Sequence, residues 1–151
     1  MKIVLQRVSF GEVKIDGEVV GKIDKGILCL VGIGEEDNEA DLSLAADKLI
    51  HLRIFEDENG RMNKSLLDED GGLLLVPNFT LYSDISHGRR PYFSGGAPFE
   101  RAKALFEELV SMLENSEVSL VQKGVFGADM KVSLLNDGPV TIILDTKDLI
   151  K

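Results

Sequence analysis

The apolar positions of this chain change period as it proceeds, and those changes mark its elements. Over the first thirty residues they predict a β-meander: a strand in Lys2 to Val8, another in Val13 to Ile15, a turn at Asp16-Gly17 and a return strand from Val19 to Ile23. Gly26 opens a third apolar run, Ile27 to Ile33. After the acidic loop Glu35-Glu36-Asp37-Asn38 the period becomes helical, with Leu42, Ala45, Ala46, Leu49 and Ile50 on one face and Asp37 or Asn38 as the N-cap. Asn59-Gly60 and Gly71-Gly72 mark turns around a short polar segment, and Leu73-Leu74-Leu75-Val76 suits a strand buried on both faces. A second helix begins near Pro98, its apolar face made by Phe99, Ala102, Phe106, Leu109 and Leu113 and opposed by Glu100, Lys103, Glu107 and Glu108. Strands are predicted at Val118 to Gln122, Lys131 to Leu135 and Val140 to Asp145. Strands before, between and after two helices, without strict alternation, predict an α/β or α+β domain with a mixed sheet, single over residues 1–151.

Between the last two apolar runs stands Asn136-Asp137-Gly138-Pro139-Val140-Thr141. Proline removes a ladder donor and glycine gives up backbone entropy, so the pair weakens the strand it interrupts. One account is a turn, since Asp-Gly is a favoured hairpin dipeptide. The other makes the backbone itself the working part, its carbonyls aimed outward by a Gly138-Pro139 unit in either the cis or the trans form.

With 151 residues and 44% hydrophobic content the chain can bury a core without disulfides or metal. Its one cysteine, Cys29, lies in an apolar run and reads as a small buried hydrophobe, consistent with a reducing compartment. The opening Met1 to Arg7 is charged too soon for a signal peptide or a membrane span, which predicts a soluble, cytoplasmic protein with no membrane partner. A net charge of −9 argues against broad electrostatic binding of nucleic acid. Local phosphate contact stays open at Arg89-Arg90, within Ser86-His87-Gly88-Arg89-Arg90-Pro91, and at Lys123 and Lys131, against the alternative of simple solvation.

Ordinary catalytic signals are sparse. His51 and His87 are separated and read as structural or solvated, and with one cysteine they make no zinc pattern. Gly124-Val125-Phe126-Gly127-Ala128-Asp129 lacks the lysine and spacing of a nucleotide loop. What remains is Val76-Pro77-Asn78-Phe79-Thr80-Leu81-Tyr82-Ser83-Asp84, polar groups at the end of a buried strand, where open sheets place ligands. Thr80 and Tyr82 are also good strand formers, and Ser83-Asp84 suits a turn. Threonine without a nearby base is a poor nucleophile, so exposed backbone N–H groups that polarise a carbonyl are the more economical chemistry.

Gln6-Arg7-Val8, the hairpin Asp16 to Gly21, Leu52 to Asp57, Phe79-Thr80-Leu81-Tyr82, Gly88-Arg89-Arg90-Pro91, Phe126 to Met130 and Asn136 to Thr141 together resemble the D-aminoacyl-tRNA deacylase family, in its order and over nearly the whole chain. The resemblance implies a barrel-like mixed sheet with two main helices and a homodimer with active sites at its interface. It also implies hydrolysis of the ester joining a D-amino acid to the 3′ acceptor end of tRNA, and of glycine mischarged on alanine tRNA, with no cofactor and no metal. Gly138-Pro139, cis in the family, would reach into the partner's site and reject L-amino acids by steric exclusion, with Arg7 supporting it. Backbone N–H groups at Phe79 and Thr80, together with Asn78, would form the oxyanion-stabilising part, the ribose 2′-hydroxyl assisting. Ala97, Phe126 and Met130 match positions near the substrate's terminal adenosine or its entry path, and Pro77 stands with them as a substrate-binding position.

One stretch departs from the family pattern. The usual strand end reads Ser-Gln, one residue, then Thr, whereas this chain has Pro77-Asn78-Phe79-Thr80. Pro77 removes a hydroxyl and an N–H, and Asn78 is one methylene shorter than Gln. A proline at this position also occurs in a related branch with a trans Gly-Pro bond and relaxed chirality. The competing readings are therefore a relaxed-chirality deacylase, a non-catalytic module that binds the tRNA acceptor end, and a general esterase with Thr80 as nucleophile.

Overall fold

The first two predicted strands are one continuous strand, β1, spanning Lys2–Ile15 in a computed structural model that describes residues 1–149. The stretch between them stays extended because both edges of β1 are paired. Along one edge Lys2 to Val8 pair with β3 (Gly26–Gly32), and Gly11 to Ile15 pair with β2 (Glu18–Ile23). Along the other edge runs β8 (Lys131–Asp145), antiparallel from Lys2 to Lys14. Asp16-Gly17 closes the β1–β2 hairpin with both residues at positive φ.

Two crossovers build the rest of the sheet. From β3 the chain enters helix α1 (Glu39–His51), passes a small hairpin of β4 (Phe55–Glu56) and β5 (Met62–Lys64), and returns in β6 (Gly72–Pro77), parallel to β3. Helix α2 (Phe99–Glu114) then leads to β7 (Leu120–Lys123), parallel to β6. The strand order is β2-β1-β3-β6-β7, with β8 on β1. The sheet curls until its two ends meet, the Lys22 N–H donating to Gln122 Oε1 at 3.4 Å, so it is barrel-like and nearly closed.

The alternation of side chains divides the interior in two. Ile3, Leu5, Ile27, Cys29, Leu73 and Leu75 face the helices and pack with Leu42, Leu49, Phe106, Leu109 and Leu113. Val8, Val13, Ile23, Leu28, Leu74 and Val76 point the other way and fill the curled sheet. Both sides of β6 are buried, as its unbroken apolar run requires, and each such side chain contributes roughly 1.5–3 kcal/mol. Cys29 is fully buried and burial pushes its thiol up, so it packs as a hydrophobe.

Helix α1 is capped by Asn38, whose Oδ1 accepts from the Ala40 N–H at 2.9 Å while Asp41 Oδ2 accepts from the Asn38 N–H at 3.0 Å. Beside it the buried Asp37 carboxylate accepts from the Met1 ammonium at 2.5 Å and from the Gly34 N–H at 2.6 Å, and Thr146 Oγ1 accepts from the same ammonium at 2.8 Å. Asp37→Asn leaves a buried cation without its counter-charge. We expect it to lower unfolding stability by about 3–5 kcal/mol in a denaturant titration.

Three elements take a form that the sequence left open or placed differently. Phe79–Tyr82, where strand formers stand beside a turn-prone Ser83-Asp84, is a 3-10 turn, because the Asn78 side chain captures the Thr80 N–H at its start. Pro98 is the N-cap of α2, one position before the first turn. The two last predicted strands are the single strand β8, which pairs with β1 on both sides of Gly138-Pro139 and runs on in one direction, so the pair is no turn. Across this break Gln6 pairs with Thr141 and Val8 with Asn136, so four residues of β8 stand opposite Arg7 alone. The Gly138-Pro139 peptide bond is cis.

Candidate active site

A cavity of about 390 Å³ opens at the carboxyl ends of the three parallel strands. Val31 and Ile33 enter from the end of β3, Pro77 from the end of β6, and Phe126 and Gly127 from the loop after β7. Phe99 and Ala102 of α2, Phe79 of the 3-10 turn and the segment carrying Phe93, Gly96 and Ala97 complete the wall. This is where a parallel sheet leaves strand-end backbone for a ligand. Its lining is predominantly apolar and aromatic and its volume lies in the range of small-molecule sites, which suits a flat heteroaromatic group.

The aromatic walls brace one another. Phe79 and Phe93 meet edge to face with centroids 5.2 Å apart, Phe126 meets Phe99 in the same way at 5.2 Å, and the Phe106 ring lies tilted against Phe126 at 6.0 Å. Gly127 has φ +83°, and a Cβ there would lie 2.9 Å from the Phe99 ring. Only glycine lets that ring close over the loop backbone. Phe99, expected from its spacing on the core face of α2, is 55% exposed and forms pocket wall instead. The segment from 93 to 97 is tied down by the Ala97 N–H donating to Ile33 O at 3.0 Å, and the Tyr82 ring lies against Gly32, Gly34 and Gly95. Burial, and then the charges of Asp37, Asp145 and Asp41, push the Tyr82 phenol up, so it stays protonated and acts as a prop.

At the rim, Asn78 turns back on its own chain. Its Oδ1 accepts from Thr80 Oγ1 at 2.6 Å and from the Thr80 N–H at 3.3 Å, and its N–H donates to Val31 O at 2.8 Å. The Thr80 hydroxyl is therefore committed as a donor to an amide oxygen, which is no base to activate it as a nucleophile. Of the two backbone donors expected here, the Thr80 N–H is thus engaged within the protein. The Phe79 N–H has no acceptor among the described residues. Pro77 and Ala97 line the cavity beside Phe79 and Phe126, whereas Met130 sits just outside it, its sulfur against Gly124 and its side chain packed on the residues inside the curled sheet.

Arg7, Gly138 and Pro139 are elsewhere and contribute nothing to the cavity wall of this chain. The Arg7 side chain is buried beneath the irregular part of β8; its Nε donates to Asp137 O at 3.1 Å and its Nη1 to Ile54 O at 2.8 Å. Asn136 spans the break, with the Val140 N–H donating to its Oδ1 at 2.9 Å and its Nδ2 donating to Val140 O at 3.3 Å. Asp137, Gly138 and Pro139 are exposed while both ends of their loop are held. Exposed and yet braced by a buried guanidinium, the segment is a rigid projection. The bracing by Asn136 and the roles of Phe93 and Gly127 escaped the sequence reading, for they depend on contacts between distant segments. The histidines are peripheral: His51 Nδ1 meets Asp47 Oδ1 at 3.0 Å on exposed helix surface, and His87 Nδ1 meets Ser86 Oγ at 2.8 Å in an exposed loop.

Comparison with known proteins bears on this arrangement. The family profile described as D-Tyr-tRNA(Tyr) deacylase matches residues 4–145. A D-aminoacyl-tRNA deacylase of Thermosipho africanus (strain TCF52B) is 52% identical over 147 residues, 97% of this chain and 98% of that protein. Among solved structures, the c-Myc DNA unwinding element binding protein superposes with a TM-score of 0.90 at 38% identity, covering 96% of this chain and 98% of the other. A probable eukaryotic D-amino acid tRNA deacylase shares the fold with a TM-score of 0.77 at 18% identity, over 95% and 97% of the two chains. The match of profile and relative along nearly the full length, on a chain whose parallel strands end in an apolar pocket, places it in the D-aminoacyl-tRNA deacylase family of hydrolytic enzymes.

Proposed function

We propose that the protein hydrolyses the ester between a D-amino acid and the terminal adenosine of tRNA, and rejects L-aminoacyl-tRNA. The observation that carries this reading is the pairing of an apolar, aromatic cavity with a Phe79 N–H that has no acceptor among the described residues. The adenine enters the cavity among Phe79, Phe93, Phe99 and Phe126. Its ribose then brings the ester carbonyl to the rim, where the Phe79 N–H stabilises the oxyanion formed when water attacks. The acyl C–O bond breaks, the 3′-oxygen takes a proton, and the 2′-hydroxyl assists that transfer. An aminoacyl ester is already activated, so positioning and a preorganised donor supply the acceleration without a side-chain triad.

Chirality is read by Gly138-Pro139 of a second copy, which makes the working enzyme a homodimer with active sites at its interface. Two features support this: the projection is braced from below by Arg7, and it is flanked on β8 by Leu135 and Ile143, 61% and 77% exposed. A rigid backbone excludes a misplaced side chain whatever its chemistry, and it has nothing to exclude on glycine, so glycine mischarged on alanine tRNA is hydrolysed as well. The cytosol is the compartment that fits this substrate.

Incubation with D-Tyr-tRNA and L-Tyr-tRNA tests the reading: we expect hydrolysis of the D-ester only. Equal hydrolysis of both would identify a relaxed deacylase, and binding without turnover a non-catalytic module. Thr80→Ala is expected to keep single-turnover hydrolysis within about tenfold, one hydrogen bond's worth of positioning. A total loss would restore Thr80 as nucleophile.

A further inference from the structure

Arg89 and Arg90 lie on an exposed loop that nothing above has used. Asp84 and Tyr92 form an isolated antiparallel bridge, the Asp84 N–H donating to Tyr92 O at 2.6 Å and the Tyr92 N–H to Asp84 O at 2.9 Å. Asp84 Oδ1 accepts from the Ser86 N–H at 2.8 Å, so the loop's own carboxylate is folded into its base. The residues from Ile85 to Pro91 are all exposed. Neither arginine has a carboxylate or hydrogen-bond partner among the described residues. Several other cations are paired: Lys25 with Glu69, Lys64 with Glu58 and Glu69, Lys123 with Glu107, Lys131 with Asp129, Lys147 with Glu36.

In a chain with 26 acidic and 17 basic residues an exposed guanidinium has many carboxylates to meet. Two adjacent arginines left unpaired, in a protein whose overall field repels polyanions, concentrate the attraction for phosphate at one point. The point is next to the site. Phe93, which follows Tyr92 of the bridge, packs edge to face on Phe79 and lines the cavity. Phe93 is three positions along the chain from Arg90, a reach of at most about 10 Å of backbone before the side chain is added.

The geometry points to the loop from Asp84 to Tyr92 as a phosphate clamp for the acceptor end of tRNA. Arg89 and Arg90 contact the phosphates of the nucleotides that precede the terminal adenosine and so hold the strand while the adenosine occupies the cavity. This rests on the reading of the cavity as the adenosine seat. The clamp also explains how an acidic protein grips a polyanion, for it needs few contacts and makes them where the strand enters.

The test compares the wild type with R89Q/R90Q and R89K/R90K on two substrates: D-Tyr-tRNA, over a range of KCl concentrations, and D-tyrosyl-adenosine, which has no phosphate. For R89Q/R90Q on D-Tyr-tRNA we expect KM to rise about 10-fold with kcat within about twofold, and the slope of log(kcat/KM) against log[KCl] to shrink by roughly 1.4, two single-strand phosphate contacts. The lysine pair keeps most of the salt slope, and kcat/KM on D-tyrosyl-adenosine is the same for all three proteins. An unchanged KM and salt slope in R89Q/R90Q, or an equal loss on both substrates, overturns the clamp while leaving the cavity assignment standing. Failure of the wild type to hydrolyse either substrate overturns the cavity assignment and the clamp with it.

Discussion

Phe79→Pro is expected to hydrolyse D-Tyr-tRNA about 10²–10³-fold more slowly than Phe79→Ala in single-turnover assays at saturating enzyme. Both variants lose the ring that packs on Phe93, so the ratio between them isolates the N–H. The backbone is already arranged for proline. Phe79 is the first residue of the 3-10 turn, where a missing N–H breaks no internal bond, and Asn78 before it is extended at φ −145° and ψ 92°. The fold therefore survives, and a thermal melt of the two variants checks that it does. The expected size is that of removing one donor from an oxyanion hole, about 2.7–4 kcal/mol of transition-state stabilisation. Equal rates for the two variants would falsify the role given to this backbone group.

The second large effect is expected at Gly138. Its φ is +131°, a region that residues with a Cβ rarely adopt, and an added Cβ would lie 2.9 Å from Val140 Cγ2 and 3.1 Å from Arg7 Nη2. Neither neighbour yields easily, since the Arg7 guanidinium is pinned to Asp137 O and Ile54 O and Val140 is bonded to Asn136. Gly138→Ala thus displaces the projection itself, and we expect kcat/KM on D-Tyr-tRNA to fall about 100-fold, near 2.7 kcal/mol. Asp137→Ala removes the half-exposed carboxylate 3.5 Å from Arg7 Nε but keeps the Asp137 carbonyl that Arg7 holds, so it should lower kcat/KM less than Gly138→Ala does. Mixing the two defective proteins probes the assignment in trans. If Gly138 serves the partner's site, each heterodimer of Phe79→Pro and Gly138→Ala holds one intact site, and a random mixture recovers about a quarter of wild-type activity. A mixture with no recovery would return Gly138 to its own chain's chemistry.

Much of the architecture was legible before any coordinates. The helical period from Leu42 to Ile50 and from Ala102 to Leu113, the run Leu73 to Val76 and the Asp16-Gly17 turn are local signals, and each marks the element that forms. Two places stayed open because a specific contact, and not local preference, decides them. Thr80 and Tyr82 favour strand by propensity, yet one side-chain capture by Asn78 bends them into a 3-10 turn. Gly138-Pro139 has the composition of a turn, yet β1 holds the chain on both sides of it and turns the pair into an outward loop of one strand.

The candidate site divides along the same line. The short motifs, and the shortage of histidine and cysteine, pointed to a deacylase that works through backbone groups, because residue identity alone carries that information. The cavity was invisible at that level. Its walls come from residues spread between Val31 and Gly127, and they meet because the parallel register of β3, β6 and β7 brings three carboxyl ends to one side. Which N–H stays free at its rim is likewise a matter of three-dimensional contact: the Asn78 amide reaches Thr80 and leaves Phe79. Periodicity and motif act over a few residues and survive in the linear chain, whereas a cavity and an unpaired donor are defined by what distant segments do or do not bring within bonding distance.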